Sequence, residues 1–153
     1  MYRQPLAFLS MAAICFGLTG VHRLWADDAQ AEMERLQGEW KVVSAERGGK
    51  ATPDEEASQM SLVFDGNKAT LKIGTREEKL IYTLDSKKSP KEINLWNREF
   101  DNENAKVLGI YELDGDSLKM CWGRPGNKDR AKEFKTTKES QEALLVLKKK
   151  VAE

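Results

Sequence analysis

Most of the chain alternates between apolar and polar residues, which is the pattern of strands with one buried face. The first alternating run follows Gly38 and places Trp40, Val42 and Ser44 on one face of a strand. Similar runs recur towards the end of the chain. The last one, Leu144–Leu147, is apolar at four consecutive positions. It predicts a strand buried by the core on one face and by an N-terminal helix on the other.

Asp-Gly pairs divide several of these runs, and Asp-Gly is a strong signal for a two-residue hairpin turn. If Asp65-Gly66 forms such a turn, Leu62 lies opposite Ala69 on the same face. The sequence therefore predicts a hairpin at this position. A second hairpin is predicted after Gly74.

The clearest hairpin is predicted around Asp114-Gly115. A two-residue turn there places Tyr111 opposite Leu118 on the inward face. Ile110 and Cys121 then lie on the outward face. Because an exposed isoleucine in a sheet is unfavourable, we expect a helix to cover this patch.

Other local patterns predict two helices and a further short strand. Spacings of three and four between apolar residues predict a helix over Asp27–Gln37. Thr52 and Glu55 match a capping box, which predicts a second short helix ending near Met60. Ala131–Lys135 is predicted to be a short strand, and the polar stretch 97–104 a loop.

Together these elements predict a mainly β protein with about eight or nine strands. Hairpin connections without βαβ alternation indicate an antiparallel barrel or sandwich. Gly38-x-Trp40 at the start of the first strand resembles the signature of lipocalin-like proteins, and this resemblance implies an antiparallel, lipocalin-like up-and-down β-barrel. The two short helices would pack against the barrel.

The N-terminus has the layout of a secretory signal peptide. Arg3 precedes the apolar run Leu6–Leu18, and Ala26 stands before Asp27-Asp28. We predict cleavage after Ala26, export to the periplasm or the extracellular space, and a mature domain over residues 27–153. The apolar run is short for a membrane span, so no transmembrane span is expected after cleavage.

Cleavage changes the chemical inventory of the chain. The 153-residue chain carries 25 basic and 25 acidic residues, and the loss of two arginines leaves 23 against 25, a net charge near −2. This balance argues against nucleic-acid binding. The only histidine, His22, is removed together with Cys15, which excludes histidine-dependent catalysis and leaves Cys121 unpaired. We expect Cys121 to be half-buried and inert, the alternative being a disulfide between chains.

The candidate ligand-binding residues share one property: alternation points them towards the barrel interior. They are Trp40, Phe64, Tyr82, Tyr111, Met120 and Trp122.

This stripe supports three hypotheses. The first is a non-enzymatic domain that binds a small hydrophobic molecule or an envelope protein at the barrel mouth. The second is an interaction module with a filled core and an exposed apolar patch near Ile110 and Cys121. The third is a hydrolase using paired carboxylates, for which Glu112 has the most apolar flanks. No catalytic residue or cofactor is predicted. No metal site is predicted either, because neither 114–117 nor 101–104 has the spacing of a calcium loop.

Four motifs resemble a family of small, exported, planctomycete-type domains with a lipocalin-like fold. They occur in the order Leu36-Gln37-Gly38-x-Trp40-Lys41-Val42-Val43-Ser44-Ala45, Leu62-Val63-Phe64-Asp65-Gly66, Leu108-Gly109-Ile110-Tyr111-Glu112-Leu113-Asp114-Gly115-Asp116 and Leu144-Leu145-Val146-Leu147-Lys148. The resemblance covers nearly all of residues 34–149. It implies the fold and export, and the family has no agreed biochemical activity. Lipocalins often place an arginine against the Gly-x-Trp tryptophan, and here Lys148 is the nearest counterpart.

Overall fold

The computed structural model describes residues 21–97, 99 and 105–151, with side chains described from residue 28 onward. Most of the predicted signal peptide and of the 97–104 loop lies outside these residues. The helices and strands in chain order are α1 Val21–Leu36, β1 Gly38–Arg47, β2 Lys50–Ala51, α2 Asp54–Ser58, β3 Met60–Asp65, β4 Lys68–Ile73, β5 Arg76–Asp85, β6 Lys91–Asn97, β7 Val107–Asp114, β8 Ser117–Trp122 and β9 Ala143–Lys149.

Eight of the nine described strands form a closed antiparallel barrel, which confirms the predicted fold class. Each strand from β3 to β9 pairs with its neighbour in sequence, and β9 returns to pair with β1. The short strand β2 is an addition that pairs with the end of β1. Closure leaves no long unpaired strand edge among the eight barrel strands.

A bulge in β1 corrects the predicted first strand. The register against β9 shifts between Val42 and Ser44, so Ala45 is buried and Ser44 is exposed. An extra residue on one strand reverses the faces of every later side chain. Trp40 and Val42 keep their predicted inward positions.

The hairpin turns lie one residue later than predicted, which shifts the pairing by two. In the first hairpin Asp65 belongs to the strand and pairs with Lys68, so the turn is Gly66-Asn67. Leu62 therefore faces Leu71 rather than Ala69. The predicted faces survive because a shift of two keeps the alternation. Gly66 has a φ of 59°, which suits a turn of type II′ with glycine in its first central position.

The same correction applies to the hairpin between β7 and β8. Its turn is Gly115-Asp116, so Tyr111 faces Met120 rather than Leu118, and Gly109 faces Trp122 rather than Met120. A Cβ atom on Gly109 would lie 2.9 Å from the Cys121 carbonyl oxygen and 3.0 Å from the Trp122 Cβ. A glycine is therefore required where these strands approach most closely.

Both helices differ locally from their predictions. Helix α1 begins at Val21, before the predicted start at Asp27. In α2 the N-cap residue is Pro53 and no side chain caps the helix, so the predicted capping box of Thr52 and Glu55 is wrong. The Thr52 amide instead donates to the Ala45 carbonyl, which ties the segment to β1.

The segment 123–142, which we call the strap, crosses the outside of the barrel between β8 and β9. It contains no strand, so the predicted strand Ala131–Lys135 is wrong. Strand register aligns Ile110, Cys121 and Leu144 in one outward row, and Ala131 and Phe134 of the strap pack on it.

This cover corrects two predictions. The strap, and not a helix, buries Ile110 and Cys121. The outward face of β9 packs at Leu144 against the same strap cluster rather than against the N-terminal helix. The described structure therefore has a second, smaller core outside the barrel wall.

Candidate functional site

The six residues predicted to line a ligand pocket all belong to the barrel interior. They fall into one apolar cluster with the inward side chains of the other strands. Phe64 and Tyr82 meet edge to face with ring centroids 5.0 Å apart. The structure thus confirms the inward direction of these side chains, while their role in binding a ligand stays a prediction.

The interior is tightly filled around most of these side chains. Water reaches none of the surface of Trp40 or Tyr82, and only 1–2% of that of Phe64, Tyr111 and Met120. No space large enough for a water molecule therefore borders the first two rings. Trp122 differs, because it is half-buried where β8 ends.

Helix α1 packs against one end of the barrel, and its C-terminus is completed by Gln37, which directly follows it, and by Trp40 and Lys149 of the barrel wall. The last four carbonyl groups of a helix lack partners within it. Here all four accept hydrogen bonds from outside the regular helical pattern. The pairs are Gln37 Nε2 with Met33 O at 2.8 Å, Gln37 N with Glu34 O at 3.2 Å, Lys149 Nζ with Arg35 O at 2.9 Å, and Trp40 Nε1 with Leu36 O at 2.7 Å.

Lys149 also stacks on the tryptophan of the first strand. Its Nζ atom lies 5.3 Å from the centroid of the Trp40 ring, and the two residues are direct partners between β1 and β9. Lys148, the predicted counterpart, is exposed. The prediction was wrong by one residue, because it did not determine which of the consecutive lysines faces the barrel end.

A buried carboxylate fixes α1 to the barrel at the same end. Glu32 accepts hydrogen bonds from Lys91 Nζ and Arg35 Nη1, both at 2.9 Å, and from the Tyr111 hydroxyl at 3.1 Å. Burial, followed by the nearby Glu32 charge, raises the pKa of Tyr111. The tyrosine therefore stays protonated and donates to the carboxylate. Charge-assisted bonds of this kind give the helix one orientation on the barrel.

A cleft of about 820 Å³ opens on the outer wall, between the β5–β6 loop and the strap; we call it the strap cleft. Its floor includes Ile110 and Pro90. Its charged lining consists of Lys88, Glu92, Lys128, Asp129, Arg130 and Lys132. The lining thus contains four cations against two anions, whereas the predicted mature chain has a slight negative charge.

Arg130 holds the strap against the barrel wall. Its Nη1 atom donates to the carbonyls of Gly109 at 2.7 Å and Ile93 at 3.0 Å, which are partners between β6 and β7. Its Nη2 atom donates to Asn94 Oδ1 at 2.7 Å, and its Nε atom lies 3.3 Å from a Glu92 oxygen. The planar guanidinium can satisfy all of these acceptors at once, which a lysine cannot.

A second point of the strap is fixed by Thr136. Its hydroxyl donates to Glu46 and accepts a hydrogen bond from the Gly49 amide at 2.9 Å. Thr136 is buried although it lies in an irregular segment. The strap is therefore anchored at two points, Arg130 and Thr136, and the cleft has a fixed wall.

Cys121 is a free thiol beneath the strap, and it is fully buried rather than half-buried as predicted. Burial, with a smaller effect from Glu142, raises its pKa to about 11. Because the thiolate is the reactive form, the thiol is poorly reactive at neutral pH.

Sequence reasoning missed the three residues that organise the surface of the barrel, Glu32, Lys149 and Arg130. The first belongs to a predicted helix and is the only acid buried among the described residues. A charged residue at an inward helical spacing was a usable signal. Nothing in the sequence pattern indicated the role of Arg130, because its acceptors are backbone carbonyls of distant strands.

Within the described part of the chain, no group of three or more His, Cys, Asp or Glu side chains is arranged to hold a metal ion. Over the same residues, no helix has the length and apolar character to cross a membrane. Comparison of the chain with protein-family models, curated proteins and solved structures finds no significant match to any of them.

Proposed function

We propose that the protein is an exported, non-enzymatic binding domain that contacts its partner at the strap cleft, on the outer wall of the barrel. The packed interior carries this proposal. Neither Trp40 nor Tyr82 has space beside its ring for a ligand deep in the barrel. The strap cleft, in contrast, has volume, a fixed wall and charged side chains.

Export is supported by the signal-like sequence before Asp27 and by the position of the helix contacts. Cleavage after Ala26 would retain Glu32, Met33 and Leu36, through which α1 packs on the barrel. The mature chain would therefore keep its helix. The family that the sequence resembles consists of exported domains, in agreement with this proposal.

A small hydrophobic ligand at the barrel mouth is the second candidate. At the end where Trp122 is half-buried, a cleft of about 570 Å³ includes Leu80, Val107 and Trp96. The same cleft is also lined by four consecutive charged residues, 76–79. This lining favours a polar contact over an apolar one, so we rank this candidate second. The hydrolase alternative rests on an unidentified pair of carboxylates and stays a prediction.

Export is tested by expressing the full chain and measuring the mass of the protein outside the cytoplasm. We expect a chain that begins at Asp27. An uncleaved chain that remains in the cytoplasm would contradict this part of the proposal.

Binding is tested by titrating ¹⁵N-labelled residues 27–153 with solubilised fractions of the cell envelope and recording amide shifts. We expect the shifts to cluster around the strap cleft, near Lys88, Ile110 and Ala131. Shifts confined to residues around Trp122 would favour the barrel-mouth candidate. No shift with any fraction would contradict a binding role in the envelope.

The Arg130→Met variant tests whether the cleft depends on the anchored strap. It leaves the carbonyls of Ile93 and Gly109 without their donor, and we expect a loss of about 2–3 kcal/mol in the free energy of unfolding. The envelope response should weaken as well. Arg124→Met is the matched control, because Arg124 is exposed on the same strap and bonds only to Gln141 among described residues. Equal effects of the two variants would contradict the anchoring role.

A further inference from the structure

Three lysines of the strap cleft have no counter-charge of their own. Lys88, Lys128 and Lys132 are exposed and make no side-chain hydrogen bond or ion pair with the described residues. Some surface lysines elsewhere are paired; Lys41 and Lys150, for example, both lie 3.2 Å from oxygens of Glu39. Others, such as Lys68 and Lys148, are exposed and make no such contact with the described residues, but they do not line this cleft. The cleft therefore collects cations that the protein itself does not neutralise.

The two acids in the cleft do not offset this excess. Glu92 is already paired with Arg130. This leaves Asp129 as the one remaining carboxylate in the lining against the three lysines. A concave site with a surplus of one sign concentrates the field and attracts ligands of the opposite charge.

The residue types narrow the ligand class. Arg130 has its guanidinium nitrogens engaged by the barrel wall, so it is not available to clamp a planar anion. The available groups are lysine ammoniums, which bind as point charges and do not select one anion geometry. They come from two separate segments, the β5–β6 loop and the strap, which face each other across the cleft. This arrangement suits a ligand with several negative charges along its length.

We propose, resting on the function proposed above, that the strap cleft binds an extended polyanionic polysaccharide through Lys88, Lys128 and Lys132. Pro90, an exposed residue of the lining, would contact a sugar ring while the lysines contact the acidic groups. Carboxylate and phosphate groups share the chemistry that these lysines recognise.

The test uses isothermal titration and ¹⁵N amide shifts of residues 27–153 with four probes. They are oligogalacturonate for carboxylate groups, a phosphate-bearing polysaccharide, neutral dextran, and vesicles of phosphatidylglycerol with phosphatidylcholine. We expect saturable binding of at least one acidic polysaccharide with shifts at the cleft. We expect the affinity to fall steeply between low and moderate salt, because the contacts are charge pairs exposed to solvent.

A triple variant, Lys88→Gln/Lys128→Gln/Lys132→Gln, tests the assignment. We expect about a tenfold or larger loss of affinity for the acidic polysaccharide, since each lost charge contact contributes a few tenths of a kcal/mol or more. The matched control is Lys50→Gln/Lys68→Gln/Lys148→Gln. It removes the same charge from exposed lysines outside the cleft lining and should change the affinity by less than about twofold.

Each contrary result has one meaning. Equal losses in the two triple variants, or no binding of either acidic polysaccharide, would overturn the inference. Binding of vesicles alone would replace the polysaccharide with a membrane surface. Salt-independent amide shifts at the cleft with neutral dextran would agree with the proposed binding function of the cleft. They would contradict the inference that the ligand is recognised by its negative charge.

Discussion

At the residue scale, the buried thiol shows how burial decides chemistry. Cys121 is completely buried between the barrel wall and the strap, and its sulfur lies 3.7 Å from the Lys135 carbonyl oxygen. The sequence predicted a half-buried, inert cysteine, because unpaired cysteines are among the most buried residues. The structure adds the direction of its pKa shift.

This shift predicts a pH dependence of stability. The folded pKa of about 11 lies above the ordinary value of 9.0, so the unfolded chain loses the thiol proton first as the pH rises. The stabilising contribution of Cys121 is complete below pH 9 and declines towards pH 11. We expect the free energy of unfolding, measured by urea titration, to fall more between these pH values in the native protein than in Cys121→Ala. Parallel declines would show that the thiol does not contribute.

Which individual residues could be predicted depends on the range of their contacts. The inward positions of Trp40, Phe64 and Tyr82 follow from local alternation, and the structure confirms them. Arg130 could not be predicted, because its acceptors lie 21 to 37 residues away in the chain. The sequence pattern indicates the type of secondary structure and which side chains share a face, but it does not indicate such long-range pairings.

At the element scale, α1 acts as a cover for one end of the barrel. Its C-terminus is completed by Gln37 and by two side chains of the barrel wall, and Glu32 connects the helix to Tyr111 and Lys91. An isolated helix of this length would be marginal in water. The contacts with the barrel therefore supply most of its stability.

The two neighbouring lysines of β9 provide a matched test of this cover. Lys149 donates to the Arg35 carbonyl and stacks on Trp40, whereas Lys148 is exposed. We expect Lys149→Met to lower the free energy of unfolding by about 1 kcal/mol, from the lost helix-end and cation–π contacts. Hydrogen exchange of the α1 amides should accelerate in the same variant. Lys148→Met should change neither quantity measurably, and equal effects would contradict the assigned role of Lys149.

The sequence predicted the type of most elements and which side chains of each strand point inward. It predicted less well how the strands pair and which segments cover the outside of the barrel. The hairpins at Gly66 and Gly115 were expected, yet each turn begins at the glycine rather than at the preceding aspartate. Glycine accepts the positive φ of the first turn position at little cost, so it determines the register. The strap was missed as a cover because it has no regular period.

At the scale of the whole molecule, the closed barrel follows from hairpins in sequence and one long-range pairing between β1 and β9. The alternating pattern predicted the closed shape, and the bulge at Val42–Ser44 was not visible in it. What the pattern did not decide is whether the interior is a pocket or a core. The packing around Trp40, Tyr82 and Tyr111 favours a core, since nearly all of their surface is buried, whereas Trp122 at the barrel end is half-buried.

The central claim is that the barrel interior is a packed core and that binding takes place on the outer wall. The most direct test is a fluorescence titration of purified residues 27–153 with Nile red, an uncharged hydrophobic dye. We predict no saturable increase in fluorescence, and the same result for Trp122→Ala. A saturable signal in the native protein that disappears in Trp122→Ala would contradict the claim and restore a ligand pocket at the barrel mouth.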